Sequence, residues 1–288
     1  MEINSSFLSS GNSGDTLAAL PSMKEFYRKT GIKPTLFLRK DVEAFYYEGA
    51  VHPVKTEGKN VMLNQQMIDM LTPLLKSQPF LEDVKTWVDE EIGCDLDSIR
   101  ETNVGMPGLS INRWYFYVFP DLACDLSKPW LTVPDSYKDL AKGKVIITRT
   151  ERYRNESIDY SFLKPYEDDL IFSGTMREYN TFCMTFDLNI KKLTVDNFLT
   201  LAQAIKQSRF HITNQTMANQ ISTGLMHPSI LEICTYAPNC IPIGENRYDF
   251  LAQGGVEYYF HKLFGDLDSY IGKIKAAHKE QLLEKKDN

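Results

Sequence analysis

The sequence predicts an α/β protein of two parallel-sheet domains that face each other across a cleft. Three observations carry this prediction. Residues 5–30 read as a strand, a glycine turn and an amphipathic helix, the opening unit of a parallel α/β domain. Strand and helix patterns then alternate to about Val88, and a second such rhythm starts at Lys144. Between them Pro120, Pro129 and Pro134 punctuate a connector. A chain of 288 residues suits two domains, and the expected division is 1–135, 143–265 and a C-terminal helix over 266–288.

In the opening unit, Ser5–Ser9 is a short strand and Gly11-Asn12-Ser13-Gly14 the turn, with Leu17, Leu20, Met23, Phe26 and Tyr27 on one helical face. Gly11 and Gly14 let the backbone approach a ligand at the carboxyl edge of the sheet. Asp15 follows in the first helical turn. Taken alone, it reads first as a helix cap favoured by the dipole, and second as a catalytic carboxylate pointing into the crevice. Pro21 lies inside the expected helix and predicts a kink or a late start. A nicotinamide site is weakly indicated: the spacing is G-x-x-G, although Asp41 follows the second strand where a ribose-binding acid would sit.

Pro34–Arg39 reads as the second strand, Ala50–Val54 as a short third, Met67, Leu71, Leu74 and Leu75 as the stripe of the next helix, and Val84–Val88 as a strand. Gly105, Pro107 and Gly108 mark a loop. The run Ser110–Phe119 is rich in aromatics, which pack as core or form a platform for a sugar or base, with Trp114 the first candidate and Asn112 and Arg113 as polar neighbours.

In the second half, Lys144–Thr148, Asp169–Ser173, Phe182–Leu188, Arg209–Thr213, Ile230–Cys234 and Cys240–Ile243 read as strands. Thr194 and Asp196 open a helix with the face Val195, Phe198, Leu199, Ala202 and Ile205. Leu267–Glu284 reads as a surface helix ending in a Lys/Glu tail. Polar groups gather at the expected strand ends: Arg149, Arg152 and Arg154 after the first strand; Ser173, Gly174 and Thr175 after the second, with Glu178 beyond; Asn214, Gln215, Thr216 and Met217 after a later one. Helix amino termini with arginine suit a phosphate group. The other reading is a solvated loop paired with Glu151 and Glu156.

The formal charge of −6 and pI of about 5.5 make nucleic acid an unlikely partner. Five scattered cysteines without a C-x-x-C pair fit reduced thiols and a cytoplasmic setting. The five histidines show no zinc spacing. The pairs Asp95/Asp97 and Asp266/Asp268 have D-x-D spacing, but each precedes a helix-like segment and reads as a cap before a metal ligand. No stretch approaches the length of a signal core or membrane span.

The stretch SGDTLAALPSMKEF resembles the first strand-to-helix junction of the ADP-heptose:lipopolysaccharide heptosyltransferase-like glycosyltransferases, whose members carry G-D, apolar residues and Leu-Pro. The resemblance implies the GT-B fold, two Rossmann-like domains with the nucleotide-sugar donor on the C-terminal one. It implies transfer to an acceptor hydroxyl with inversion, no metal and no bound cofactor, a nucleotide-diphosphate sugar serving as co-substrate. The family's base maps onto Asp15, its basic residue after the first strand of the second domain onto Arg149 or Arg152, and its donor-ribose acid onto Glu178. The family's D-[ST]-G-x-x-H is replaced by Asn214-Gln215-Thr216-Met217-Ala218-Asn219. That departure leaves room for a non-catalytic nucleotide-sugar binder; an epimerase or hydrolase is a third option.

Overall fold

A computed structural model describes residues 4–46, 48–102, 110–136 and 138–284 of the chain. Strand β1 (Ser6–Ser9) leads into α1 (Ser13–Thr30), then β2 (Thr35–Leu38), a hairpin of β3 (Lys55–Thr56) and β4 (Lys59–Asn60), α2 (Gln65–Lys76), β5 (Asp83–Thr86), β6 (Cys94–Asp95) and α3 (Asn112–Val118). The first main sheet has the order β5-β2-β1-β6, every pairing parallel.

The second half runs β7 (Val145–Thr148), β8 (Leu170–Ser173), α4 (Met176–Phe186), β9 (Lys191–Leu193), α5 (Phe198–Gln207), β10 (Phe210–Asn214), α6 (Met217–Leu225), β11 (Ser229–Glu232), β12 (Arg247–Phe250), α7 (Gln253–Phe264) and α8 (Leu267–Glu284). Its sheet order is β12-β11-β10-β7-β8-β9, again parallel throughout. This is a doubly wound sheet whose strand order reverses between β7 and β10. Ligands of such sheets bind outside the carboxyl ends of the strands at that point.

Burial follows the strand period. Val145 and Ile147 belong to one apolar cluster with Phe210, Ile212 and Phe260, while Ile146 between them faces a second cluster. That second cluster is shared by both halves: Leu17, Leu20 and Met23 of α1 and Leu71 and Leu75 of α2 join Leu201 and Ile205 of α5 and Ile221 of α6. The halves are therefore packed together by helices, with α1 lying along α6 and α2 along α5.

Several expectations are corrected. Helix α1 starts at Ser13 and includes Pro21. The missing amide costs about 3 kcal/mol, but Leu17, Leu20 and Met23 are wholly buried, and each such side chain contributes about 1.5–3 kcal/mol. Ala50–Val54 is not a strand; the β3–β4 hairpin follows it, turning at Glu57 and Gly58, both with positive φ. Phe182–Leu188 is not a strand but the last turn of α4 and its cap, because Phe182 and Phe186 lie four apart on a buried helical face and Asp187 ends the helix in the left-handed region. Cys240–Ile243 carries only an isolated bridge from Cys240 to Ser110, and β12 is the strand instead; Pro242 removes a ladder donor. Helix α5 is capped by Asn197, whose side chain accepts from the Thr200 amide at 3.0 Å, and so begins after Thr194 and Asp196. The aromatic run after Ser110 forms α3. The loop expected at Gly105, Pro107 and Gly108 lies outside the described residues. No helix among the described residues is long and apolar enough to cross a membrane.

Candidate active site

Each half presents one loop-to-helix junction to the other. In the first, β1 passes through Gly11-Asn12 into α1; in the second, β10 passes through Gln215-Thr216 into α6. They touch at Gly14, where a β-carbon would lie 3.6 Å from Cα and 3.7 Å from N of Met217. Close by, the Ile111 amide donates to the Asn239 carbonyl at 2.8 Å and Ser110 bridges Cys240. The carboxyl edges of both sheets thus meet at the start of α1.

Asp15 stands at this meeting point with its side chain one-fifth exposed. Its Oδ2 accepts from the Asn12 amide at 3.1 Å and from Arg100 Nη2 at 2.6 Å. The first bond is the expected cap; the second reaches across from the turn after β6. Asp97 on that turn accepts from the Ser10 amide at 3.0 Å, and Asp95 caps it by accepting from the Asp97 amide at 2.9 Å. The first D-x-D pair is thus used in capping and in fixing the turn that aims Arg100. Oδ1 of Asp15 makes no hydrogen bond among the described residues. Tyr115, fully buried, donates its hydroxyl to the Asp15 carbonyl at 2.9 Å. Trp114 is half-buried against the shared core, Asn112 is buried with its amide donating to the Ala18 carbonyl at 2.9 Å, and Arg113 is exposed.

The arginines expected to act together have separate partners. Arg149 is buried, with Nε 2.7 Å and Nη2 3.1 Å from the Glu232 carboxylate, which also accepts from the Tyr160 hydroxyl at 2.8 Å and from the Asn155 amide at 2.5 Å. Burial pulls the pKa of Arg149 down, and Glu232 overrides this to hold it above its ordinary value. Arg154 pairs with Glu156 at 3.2 Å, while Glu151 is taken by Arg177 at 2.8 Å. Arg152 crosses to the first half, placing Nη1 2.7 Å from Nδ1 of His52.

Asn214 is fully buried at the point of strand reversal and knits the β7 loop: its Oδ1 accepts from the Thr150 amide at 3.0 Å and its Nδ2 donates to the Arg152 carbonyl at 2.9 Å. Gln215 is buried, donating to Asn239 Oδ1 at 2.9 Å and accepting from the Cys234 amide at 2.7 Å. Thr216 caps α6 by accepting from the Ala218 amide at 3.0 Å. Asn219, also buried, has no hydrogen-bond partner among the described residues for either amide atom. Asn214 and Gln215 therefore shape the edge with their side chains, and Met217 at the α6 amino terminus packs on Gly14.

On the other side of β7, Ser173 is buried and Gly174 fits where a β-carbon would meet the Phe172 ring at 2.8 Å. Thr175 and Glu178 form a capping box, with Glu178 Oε2 accepting from the Thr175 amide at 2.8 Å. Glu178 also lines a 160 Å³ cavity with Arg149, Glu151, Arg154 and Glu156. Asp41, in the left-handed region, accepts from the Thr56 hydroxyl at 2.6 Å. Among the described residues no three His, Cys, Asp or Glu side chains gather in metal-holding geometry, and the cysteines there are free thiols.

Comparison with solved structures decides the fold. E. coli heptosyltransferase WaaC with ADP superposes at a TM-score of 0.58 and 11% identity, covering 90% of this chain and 99% of that one. The chain has the GT-B fold. The glycosyl transferase family 9 protein from Veillonella parvula DSM 2008 gives a TM-score of 0.56 at 8% identity, over 93% and 91% of the two chains. E. coli ADP-heptose lps heptosyltransferase II gives 0.52 at 11%, over 90% and 97%. The sequence matches no family model and no curated protein. At these identities the likeness is one of GT-B fold. Arg100, Tyr115, Tyr46, His52 and Glu232 escape the sequence reading. Arg100 had one signal, its position three residues after Asp97.

Proposed function

We propose that this chain is a glycosyltransferase of hexosyl or heptosyl type, moving a sugar from a nucleotide-diphosphate donor to an acceptor hydroxyl with inversion and without a metal ion. The observation that carries this reading is the contact of Gly14 with Met217, which brings the turn that bears Asp15 against the amino terminus of α6. The GT-B neighbours solved with ADP and with ADP-2-deoxy-2-fluoro heptose support it.

In this reading Oδ2 of Asp15 is the anchored oxygen and Oδ1 the working one. Oδ1 takes the proton of the acceptor hydroxyl while that oxygen bonds to the anomeric carbon. The bond from the anomeric carbon to the diphosphate breaks on the opposite face. The charge left on the diphosphate is met by the positive end of the α6 dipole and by Arg152. Arg149 is already neutralised by Glu232 and shapes the loop instead. The donor ribose would lie by Glu178, in the cavity it lines.

Asp15→Asn tests the assignment, since asparagine can still accept at a helix start. ADP-sugar binding should stay within a few-fold of the parent chain while turnover falls by about 100-fold or more; undiminished turnover would remove the base. A non-catalytic nucleotide-sugar binder is the second reading, favoured by Asn214 and Asn219 at the positions of the family's aspartate and histidine. Binding of a nucleotide sugar with no hydrolysis or transfer over a panel of donors and acceptors would select it.

A further inference from the structure

We infer that His52 of the first half is the positioning residue for Arg152 of the second, so that the anion-binding edge of the donor site is completed by a side chain from across the cleft. This rests on the nucleotide-sugar reading above.

The bond geometry sets the state of the imidazole. Nε2 of His52 lies 2.7 Å from the Val61 carbonyl oxygen, which can only accept, so Nε2 carries the proton. Nδ1 then has its lone pair free, and Arg152 Nη1 donates to it at 2.7 Å. The guanidinium also lies over two rings, 4.4 Å from the Tyr46 centroid and 5.1 Å from that of Tyr153. Tyr46 is held from below: its hydroxyl donates to Asn12 Oδ1 at 3.0 Å, three residues before Asp15.

Such an anchor differs in kind from the one on Arg149. A carboxylate cancels the charge it holds; a neutral imidazole and two π-faces fix the orientation and leave the full positive charge in place. Among the described residues no carboxylate reaches Arg152, and its contact with His52 uses Nη1 alone. The side-on fork of Nε and Nη2 remains open to grip a phosphate in two places. The backbone of the same loop is pinned by Asn214 through the Arg152 carbonyl. Backbone from one half and side chain from the other thus define where one cation points.

The imidazole must stay neutral for this to work, because a proton on Nδ1 would set N–H against N–H and cation against cation. The groups facing His52 are Arg152, Lys55 of the hairpin and Tyr46. Burial, ahead of the charges of Arg152 and Lys55, holds its pKa below the ordinary value in spite of the Val61 carbonyl.

Titration calorimetry with ADP and with inorganic pyrophosphate, on the full chain, tests the inference. Arg152→Gln and His52→Ala should each weaken ADP by about ten-fold, the scale of one charged hydrogen bond, and the double variant should be no weaker than Arg152→Gln. His52→Asn offers an oxygen near the Nδ1 position and should restore affinity to within a few-fold. His52→Gln places its amide near Nε2 and should fail to restore it. On acidification, ADP affinity of the parent chain should fall relative to His52→Asn only below the ordinary histidine range. Equal binding by His52→Ala and the parent chain, or rescue by Gln and not Asn, would overturn the positioning role while leaving the nucleotide reading standing. A parent chain that binds neither ADP nor pyrophosphate would take down both.

Discussion

Arg100 Nη2 sits 2.6 Å from Asp15 Oδ2, joining the turn after β6 to the start of α1. One carboxylate oxygen is thereby anchored by two donors and the other left open. Arg100→Ala should lower turnover by about ten-fold or more through loss of that orientation, with ADP affinity little changed because the proposed donor site lies on the other half. Steady-state kinetics beside calorimetry would check this. A loss confined to donor affinity would contradict it.

The Arg149–Glu232 pair lies inside the second domain, with side chains 5% and 0% exposed. Glu232→Ala leaves a buried cation, a tyrosine hydroxyl and an amide without their acceptor. Loss of one partner of a buried pair costs about 3–5 kcal/mol, so a large drop in the denaturant midpoint is expected. A change below about 1 kcal/mol would match an exposed pair instead.

Gly224 lies in α6 beneath the connector between the halves. A β-carbon there would meet Leu131 Cβ at 2.7 Å and the Trp130 ring at 2.8 Å. The Gly224 carbonyl accepts from the amides of both residues, at 3.0 Å each. Alanine favours a helix by about 1 kcal/mol, but overpacking costs about 1–3 kcal/mol. Gly224→Ala should therefore be neutral to destabilising, whereas at the open Gly272 of α8 the same change should stabilise. Thermal unfolding of the two variants gives the comparison.

His211 is buried and His227 half-buried, both as neutral imidazoles, and the loss of solvent around them pulls their pKa values to about 3 and about 4. His211 bridges Ser222 at 2.7 Å and Thr148 at 3.0 Å. The unfolded chain binds these protons near the ordinary value of 6.5 while the folded chain does not. Stability from these groups is whole above that value and is lost as pH falls from there towards the folded values. The loss approaches about 1.4 kcal/mol per pH unit for each histidine. Unfolding followed from pH 7 to 4.5 should show this slope, and His227→Gln should reduce it.

Local pattern alone determined much of this protein. The period of two in Val145–Thr148 and of about 3.6 in Leu17, Leu20 and Met23 set which segments became strands and helices, and their alternation gave two parallel sheets. The G-D pair at a helix start placed Asp15 at the carboxyl edge of the first sheet. Strands of two or three residues such as β6 and β9 carry too little period to be seen, and the four of β12, buried at both ends and not in alternation, show none. Partner choice belonged to the tertiary structure. Arg149 takes Glu232 at a separation of 83 residues, Arg100 takes Asp15 at 85, and Arg152 takes His52 at 100. Three arginines within six residues look alike in a sequence, because charge and spacing do not encode where a side chain points. Sheet register and helix packing set that direction, leaving one of them neutralised in the interior and another with its charge intact at the cleft.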